Sequence, residues 1–439
     1  MDLRAQGHRH AYDQSHRSGA VDRPGRQGIT QSTGASAMKA VIFHAIGDIR
    51  IEEVAEPTIE APTDAIVRLT ASAICGTDLH FVRGTFSGVD KGQILGHEGV
   101  GVVETVGEGV SNIKVGQRVI IPSTIGCGHC QYCEKGFFAQ CDNANPGGKL
   151  AGTAFFGGPV AAGGYKGLQA EKARVPWADT NLVPVPDDIS DDQAILMSDI
   201  LPTAWFGADL AQIEEGDHVV VFGCGPVGQL AIASAMVMGG KVIAVDRLPD
   251  RLDLARRQGA QVINFDEVDP VEAIRKLTDG DGARRIIDAV GIDAQHAHDG
   301  PAAPGLLDKL ATAVEQRFVE PAARAIGSHF VAGNSPNQVL EWVVEAIAKG
   351  GTLAIIGVYP PTDTHFPIGA AMNKNITMRM GNCNHRRYYD VLIDHVRSGT
   401  LDPTRILSQT EPMTGAIEAY KAFDERQPGW MKVELEPSA

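Results

Sequence analysis

No stretch of this chain approaches the roughly 20 consecutive apolar residues that a membrane helix needs. Its N-terminal segment has no apolar core of the kind a secretory signal carries, so no signal peptide is expected. Basic residues are outnumbered: 39 Lys and Arg stand against 54 Asp and Glu, a net charge of −15, and no basic block stands out. The electrostatic footprint of a nucleic-acid binder is therefore missing. Neither a nucleic acid nor a membrane is expected as a partner. Cysteine is scarce as well, at seven in 439 residues, but it is not scattered.

Four of the seven, Cys127, Cys130, Cys133 and Cys141, follow the spacing C-x2-C-x2-C-x7-C. Four thiolates this close can complete a tetrahedron around Zn(II) with no position left open. An iron–sulfur cluster and a disulfide pair are the rivals. The bacterial ferredoxin run has a shorter last gap and a proline after its fourth cysteine, whereas here the gap is seven and Asp142 follows. Disulfides do not suit a chain without a secretory signal. The cluster points to a structural metal and to a reducing compartment, the cytoplasm.

Glycine is abundant, at 50 residues, which favours an α/β protein with many tight strand–helix turns. Residues 1–37 differ from the rest: rich in Arg, His, Gly, Ser and Gln, they lack the hydrophobicity to fold alone and read as a disordered extension. From 38 to about 200 the pattern is short strands with Gly and Pro punctuation, including two strands around the turn Ile46-Gly47-Asp48 and runs at Ala65–Ala73 and Val100–Val106. From 201 to 360 strands and helices alternate: His218–Gly223, Val227–Met238, Lys241–Asp246, Pro249–Gln258, Val262–Phe265, Arg285–Ala289 and Thr352–Gly357. Such alternation argues a parallel sheet covered by helices on both faces. Residues 292–339, rich in Ala, His and Pro, break the rhythm and read as an insertion ahead of a helix ending near Lys349-Gly350-Gly351. Beyond 360 the chain becomes mixed again, with a helix at Tyr388–Arg397 and a strand near Met431–Leu435.

Gly223-Cys224-Gly225-Pro226-Val227-Gly228 is G-x-G-x-x-G, weak by itself but here following a strand and opening a helix. Gly223 permits the tight turn, Gly225 lets backbone approach a pyrophosphate, and Gly228 lets helix pack close to strand. The helix N-terminus offers N–H donors and positive dipole to phosphates. Asp246 ends the second strand and can accept from both ribose hydroxyls while repelling a 2′-phosphate, which favours NAD over NADP. Arg247 beside it is a counter-signal. A glycine-rich turn with no ligand and a surface Asp is the bland alternative. Upstream stand Cys75-Gly76-Thr77-Asp78-Leu79-His80 and Gly96-His97-Glu98. A lone Cys or His is more often core than ligand, but these share a chain with a nucleotide motif and a four-cysteine cluster.

From Met38 onward the chain resembles the zinc-dependent alcohol dehydrogenases of the medium-chain dehydrogenase/reductase superfamily. The run GHEGVGVVETVGEGVSNIKVGQRV fits that family's zinc signature, G-H-E-x2-G-x5-G-x8-G-x2-V, with Gln117 where an acid is common. The resemblance implies an α/β chain of two parts: a GroES-like, mostly-β catalytic domain over 38–200 and 361–439, with a structural-zinc lobe at about 122–145, and a Rossmann doubly wound, parallel-sheet nucleotide-binding domain over 201–360. It implies two Zn(II) per chain and NAD. Cys75 and His97 match two catalytic zinc ligands, and Asp199, in MSDILPTAWFGA, matches the third. Asp199 could instead merely cap the helix containing Pro202. Glu98 matches a residue behind the metal, and Asp78 is a candidate to hold the second ring nitrogen of His97. Thr77 and His80 match a hydroxyl and an imidazole that relay the alcohol proton. Thr203, Arg247 and Arg251 join the glycine turn, Pro226, Val227 and Asp246 as expected cofactor contacts.

The acidic third ligand, the SDILPT run and the insertion are similar to the glutathione-independent formaldehyde dehydrogenase branch. That branch implies an insertion over the adenine end of NAD that helps retain it. The expected substrates are short primary alcohols and formaldehyde, then polyols, with Trp205, Phe155 and Phe156 as candidate pocket walls. A homo-oligomer, dimer or tetramer, is expected from the resemblance alone. A non-catalytic nucleotide-binding member of the fold is the reading from another class; it predicts damaged zinc or relay positions, and Cys75, Thr77, His80, His97 and Asp199 are all present.

Overall fold

The computed structural model describes residues 36–298, 300–303, 333–360, 363 and 365–437. Nearly all of the expected N-terminal extension and most of the expected insertion therefore lie outside the described residues. Ala37 already belongs to the first strand, Ala37–Ala45, which pairs antiparallel with Asp48–Ala55 around Gly47. Gly47 takes a φ of 74°, the left-handed conformation that such a tight turn requires.

The strand Ala65–Ile74 is the spine of a seven-stranded sheet. It pairs antiparallel with Gly99–Val106, with Lys172–Val175 and with Val433–Glu436, so the chain's last strand returns to its first large sheet. Arg118–Ile121 and Val183–Pro184 extend it on one side and Gln409–Pro412 on the other. Valine and isoleucine fill these strands, and their inward faces join Ile125, Phe156 and Leu168 in one apolar cluster. Cys127, Cys133 and Cys141 lie in that same cluster, so the four-cysteine lobe is rooted in the core of the sheet.

The second large sheet is parallel. Its six strands run Gln261–Asn264, Lys241–Asp246, His218–Phe222, Ala283–Asp288, Ile347–Ile355 and Thr377–Met380 in space. Counted from His218 the order is 3-2-1-4-5-6, the doubly wound arrangement that opens a crevice where the winding reverses. Helices Pro226–Val237 and Pro249–Gln258 each start with proline in the first turn, where no N–H is required. The fold class is thus the α/β arrangement expected from the sequence. One element differs. The helix expected to run to Gly351 ends at Ala346, and Ile347–Ile355 is a strand, because Ile347 adopts ψ 141° and pairs with Ala283.

Two helices meet at Asp199, between Asp191–Ser198 and Ile200–Ala211. The first is closed by a capping box of Ser190 and Gln193, while Asp199 caps neither backbone with its side chain. Its carboxylate is left to point elsewhere.

Candidate metal centres and dinucleotide cleft

The helix Gly76–Arg83 begins at Cys75 through a capping box: Cys75 accepts from the Asp78 N–H, and the Asp78 carboxylate accepts from the Cys75 N–H at 3.0 Å. This fixes the Cys75 sulfur at a helix N-terminus, where the dipole favours a thiolate. The other Asp78 oxygen lies 3.1 Å from His97 Nδ1. His97 and Glu98 occupy the link between the short strand Gln93–Ile94 and Gly99–Val106. His97 Nε2 is 3.5 Å from Asp199 Oδ2, and Cys75 Sγ is 3.9 Å from the same oxygen. The donor atoms of Cys75, His97, Glu98 and Asp199 all lie within 4.8 Å of one another.

Burial and neighbouring charges act in opposite directions on the groups around this point. Burial alone would lower the pKa of His97, but the Asp78 carboxylate and Cys75 outweigh it and hold the imidazole well above its ordinary value. Burial would raise Asp199, yet hydrogen bonds from His385 and His97 hold it well below the usual carboxylate range. Burial pushes the Cys75 thiol and the Glu98 carboxyl up. Glu98 Oε1 accepts from Lys432 Nζ at 2.6 Å, whereas Oε2 has no partner although fully enclosed. A thiol, an imidazole and an acid around one point, with a stranded carboxylate oxygen beside them, are a donor set that fits Zn(II).

Several neighbours of this site have no local signal in the sequence. Asp199 Oδ1 accepts from Ser123 Oγ at 2.9 Å and faces His385 Nε2 at 2.8 Å. Thr124 Oγ1 is 3.0 Å from the other ring nitrogen of His385. Gln169 donates to Asp78 at 3.3 Å and accepts from the buried Tyr420 hydroxyl at 2.8 Å. Lys432, just ahead of the strand Val433–Glu436, also donates to the Ile74 carbonyl at 3.0 Å. A lysine framed by Met431 and Val433 was the one hint available.

Cys127, Cys130, Cys133 and Cys141 form the second group whose donor atoms fall within 4.8 Å. All seven cysteines are free thiols, so no disulfide competes. Backbone N–H groups of Cys127 and Asn143 donate to Cys141 Sγ at 3.2 and 3.4 Å, and the Asn143 amide donates to Cys127 Sγ at 3.2 Å. Hydrogen bonds onto sulfur are the supporting contacts that a thiolate–metal site uses. Hydrogen bonding from Cys133 pulls Cys141 down to about 4, while Cys133 itself is pushed upward.

The Cys75 side of the first group opens onto a cavity of about 220 Å³ that runs to the crevice of the parallel sheet. Thr77 and His80 line it near Cys75; Gly223, Gly225, Pro226, Val227, Asp246, Arg247 and Arg251 line its far end. His80 is buried against the Phe86 ring, its Nδ1 lacks a partner, and burial lowers its pKa against the pull of the Asp293 carboxylate. Gly223 has φ 88°, and a Cβ on Gly228 would stand 1.9 Å from the Gly223 carbonyl oxygen, so both positions require glycine. Asp246 accepts from the N–H groups of Cys224 and Arg247 at 2.7 Å and of Leu248 at 3.0 Å, an acceptor role within the turn beyond any ribose contact.

Arg247 is turned toward Gln295, at 2.6 Å, and His298, at 3.1 Å. Thr203 is not among the cavity-lining residues; its hydroxyl donates to Asp199 at 3.3 Å. Of the aromatic candidates, Phe155 stands with its ring centroid 6.3 Å from that of His97. Phe156 is core, and Trp205 packs against His395; none of the three lines the cavity.

Residues 61–187 match the alcohol dehydrogenase GroES-like domain, and residues 226–298 match the zinc-binding dehydrogenase family. The chain is 34% identical over 405 residues to an uncharacterised zinc-type alcohol dehydrogenase-like protein of Bacillus subtilis, covering 91% of this chain and 100% of that protein. It is 35% identical over 278 residues to the glutathione-independent formaldehyde dehydrogenase of Pseudomonas aeruginosa, covering 60% of this chain and 68% of that one. Among solved structures it is similar to the alcohol dehydrogenase of Thermus sp. ATN1, with a TM-score of 0.73, 32% identity and coverage of 91% and 99%. On the shared domains, and on identity spanning nearly the whole described fold, the chain belongs to the zinc-dependent alcohol dehydrogenases of the medium-chain dehydrogenase/reductase superfamily.

Proposed function

We propose that this protein oxidises short primary alcohols, or an aldehyde in its hydrated form, with NAD as the hydride acceptor and zinc at Cys75, His97 and Asp199. One observation carries the proposal: those three donors converge on one point, and its Cys75 side opens onto a cavity also lined by the glycine turn and Asp246. Zinc bound there would supply Lewis acidity to a hydroxyl, and NAD would take the hydride. The chain's own residues then have distinct tasks. Asp78 fixes the His97 tautomer, and Ser123 and His385 orient Asp199. Thr77 and His80, on the same cavity wall, move the proton outward. Glu98, tied to Lys432, keeps its second oxygen available to the cation. The four-cysteine group holds a second, closed zinc that stabilises its lobe.

Within this reading a formaldehyde dehydrogenase or dismutase with tightly retained NAD is the favoured variant, and a polyol dehydrogenase is the other. Asp293, Ala294, Gln295, Gln338 and Val339, from both ends of the insertion, wall the cavity. Their position supports retention of the adenine end of the cofactor. A homo-oligomer and a cytoplasmic setting belong to the same proposal. Supporting them are exposed Ile368, Met372, Met378 and Met380 at the edge of the parallel sheet, and seven free thiols. The test is NADH formation across short alcohols, polyols and formaldehyde. Turnover with at least one of these is expected; a zinc-replete protein that reduces NAD with none of them refutes the proposal.

A further inference from the structure

We propose that Asn384 is a positioning residue for the Cys75–His97–Asp199 centre, and that through it this centre depends on the four-cysteine lobe. The proposal rests on the reading of that centre as a zinc site.

The strand Thr377–Met380 is the edge strand of the parallel sheet, and the chain leaves it through Gly381 toward the short turn His385–Arg387. Four consecutive residues of this passage each take hold of the catalytic domain. Asn382 Nδ2 donates to Thr153 Oγ1 at 2.6 Å. The Cys383 carbonyl accepts from Thr124 Oγ1 at 3.3 Å. Asn384 Oδ1 accepts from the Ala139 N–H at 3.0 Å. His385 Nε2 faces Asp199 Oδ1 at 2.8 Å, and its Nδ1 lies 3.0 Å from Thr124 Oγ1. Ala139 belongs to the turn Phe138–Gln140, which leads directly into Cys141. Adjacent residues thus hold the two metal groups: Asn384 the turn that delivers Cys141, His385 the acid of the reactive centre.

This route is enclosed along its length. Ala139 is 1% exposed, Asn384 6% and His385 1%. Releasing Asn384 would strand a buried N–H on Ala139, so the bond resists opening. Asp199 caps neither of its helices with its side chain, and its Oδ1 is oriented by Ser123, Thr203 and His385. Ser123 Oγ also lies 3.2 Å from His385 Nε2, so displacing His385 disturbs two of these three supports. A lobe that shifts when its cysteines lose their metal moves Ala139, and Asn384 passes that shift to His385 and Asp199. Direct supports of a metal ligand are worth about 10- to 100-fold in metal affinity, and Asn384, one residue further out, is expected to be worth about 3- to 10-fold.

Co(II) exchanged into the Cys75 site, with zinc left in the four-cysteine site, tests this without turnover. The visible bands of Co(II) report its ligand set, and their loss to a chelator reports release. Asn384→Leu keeps the volume and removes the acceptor, while Cys130→Ser opens the lobe at its least buried cysteine. Each is expected to shift the bands and to speed release by about 3- to 10-fold. The double variant is expected to match the faster single one within about twofold, because both act through one contact. Wild-type bands or wild-type release in Asn384→Leu overturn the proposal, as does a double variant whose effect is the product of the two singles. If Asn384→Leu does not fold, Cys130→Ser with wild-type release overturns it. Wild-type protein without a Co(II) signal that Cys75→Ser removes overturns both this assignment and the zinc reading, so the two failures are distinguishable.

Discussion

Replacing Arg83 by methionine is the sharpest test of how the helix carrying Cys75, Thr77 and His80 is held. Arg83 is 2% exposed, and its guanidinium bridges Asp424, 4% exposed, and Asp293, 18% exposed. Methionine fills much of the same space but removes the cation that Asp293 and Asp424 share. Breaking a buried pair by removing one member costs about 3–5 kcal/mol, mostly as the penalty of the stranded charge. Converting the whole triad to apolar or neutral groups, Arg83→Met with Asp293→Asn and Asp424→Leu, is expected to return most of the loss. The sign of the pH dependence follows. In wild type the Arg83 charge holds Asp293 well below its ordinary value against burial, so its contribution is present above pH ~4 and is lost as pH falls through the depressed value. In Arg83→Met the buried Asp293 carboxyl loses the largest charge that lowers it and binds protons more readily than in wild type, so the deficit shrinks on acidification. Urea unfolding followed by circular dichroism at neutral and mildly acid pH reads both effects. A loss under about 1 kcal/mol, or a triple variant no more stable than the single one, would refute the reasoning.

Three other outcomes are expected. Gly228→Ala puts a Cβ 1.9 Å from the Gly223 carbonyl oxygen, and forcing backbone apart there should cost at least about 1–3 kcal/mol and weaken ADP-ribose binding; thermal unfolding and calorimetry check it. Asp78→Asn removes the charge facing His97 Nδ1, so zinc at the Cys75 site should dissociate about 10- to 100-fold more readily in a chelator titration while the four-cysteine zinc stays. Asp246→Ala should raise the NADP-to-NAD ratio of kcat/KM; an unchanged ratio would show that Asp246 serves the turn through its three N–H partners and not the ribose.

What was legible in the sequence was local. The four cysteines lie within 15 positions of one another, and the glycine turn is six residues between a strand and a helix, so spacing alone exposes both. The strands Lys241–Asp246 and the helix Pro249–Gln258 were readable to the residue because valine-rich runs and an N-terminal proline mark their ends. Cys75, His97 and Asp199 became readable as a set only through resemblance, since 124 residues separate the first from the last. The supports of the site were not readable at all. His385 reaches Ser123 across 262 positions and Lys432 reaches Glu98 across 334, and no periodicity encodes such pairs. Trp205 and Phe156 show the converse: an aromatic near a motif in sequence can still belong to the core.

Elemental analysis of the wild type and of Cys75→Ser, paired with an NADH-formation assay, tests the central claim most directly. Two zinc ions per chain are expected in the wild type, and one in Cys75→Ser, with turnover abolished and ADP-ribose binding retained. A Cys75→Ser protein that keeps its full zinc content and its turnover would contradict the assignment of Cys75, His97 and Asp199 as the reactive centre.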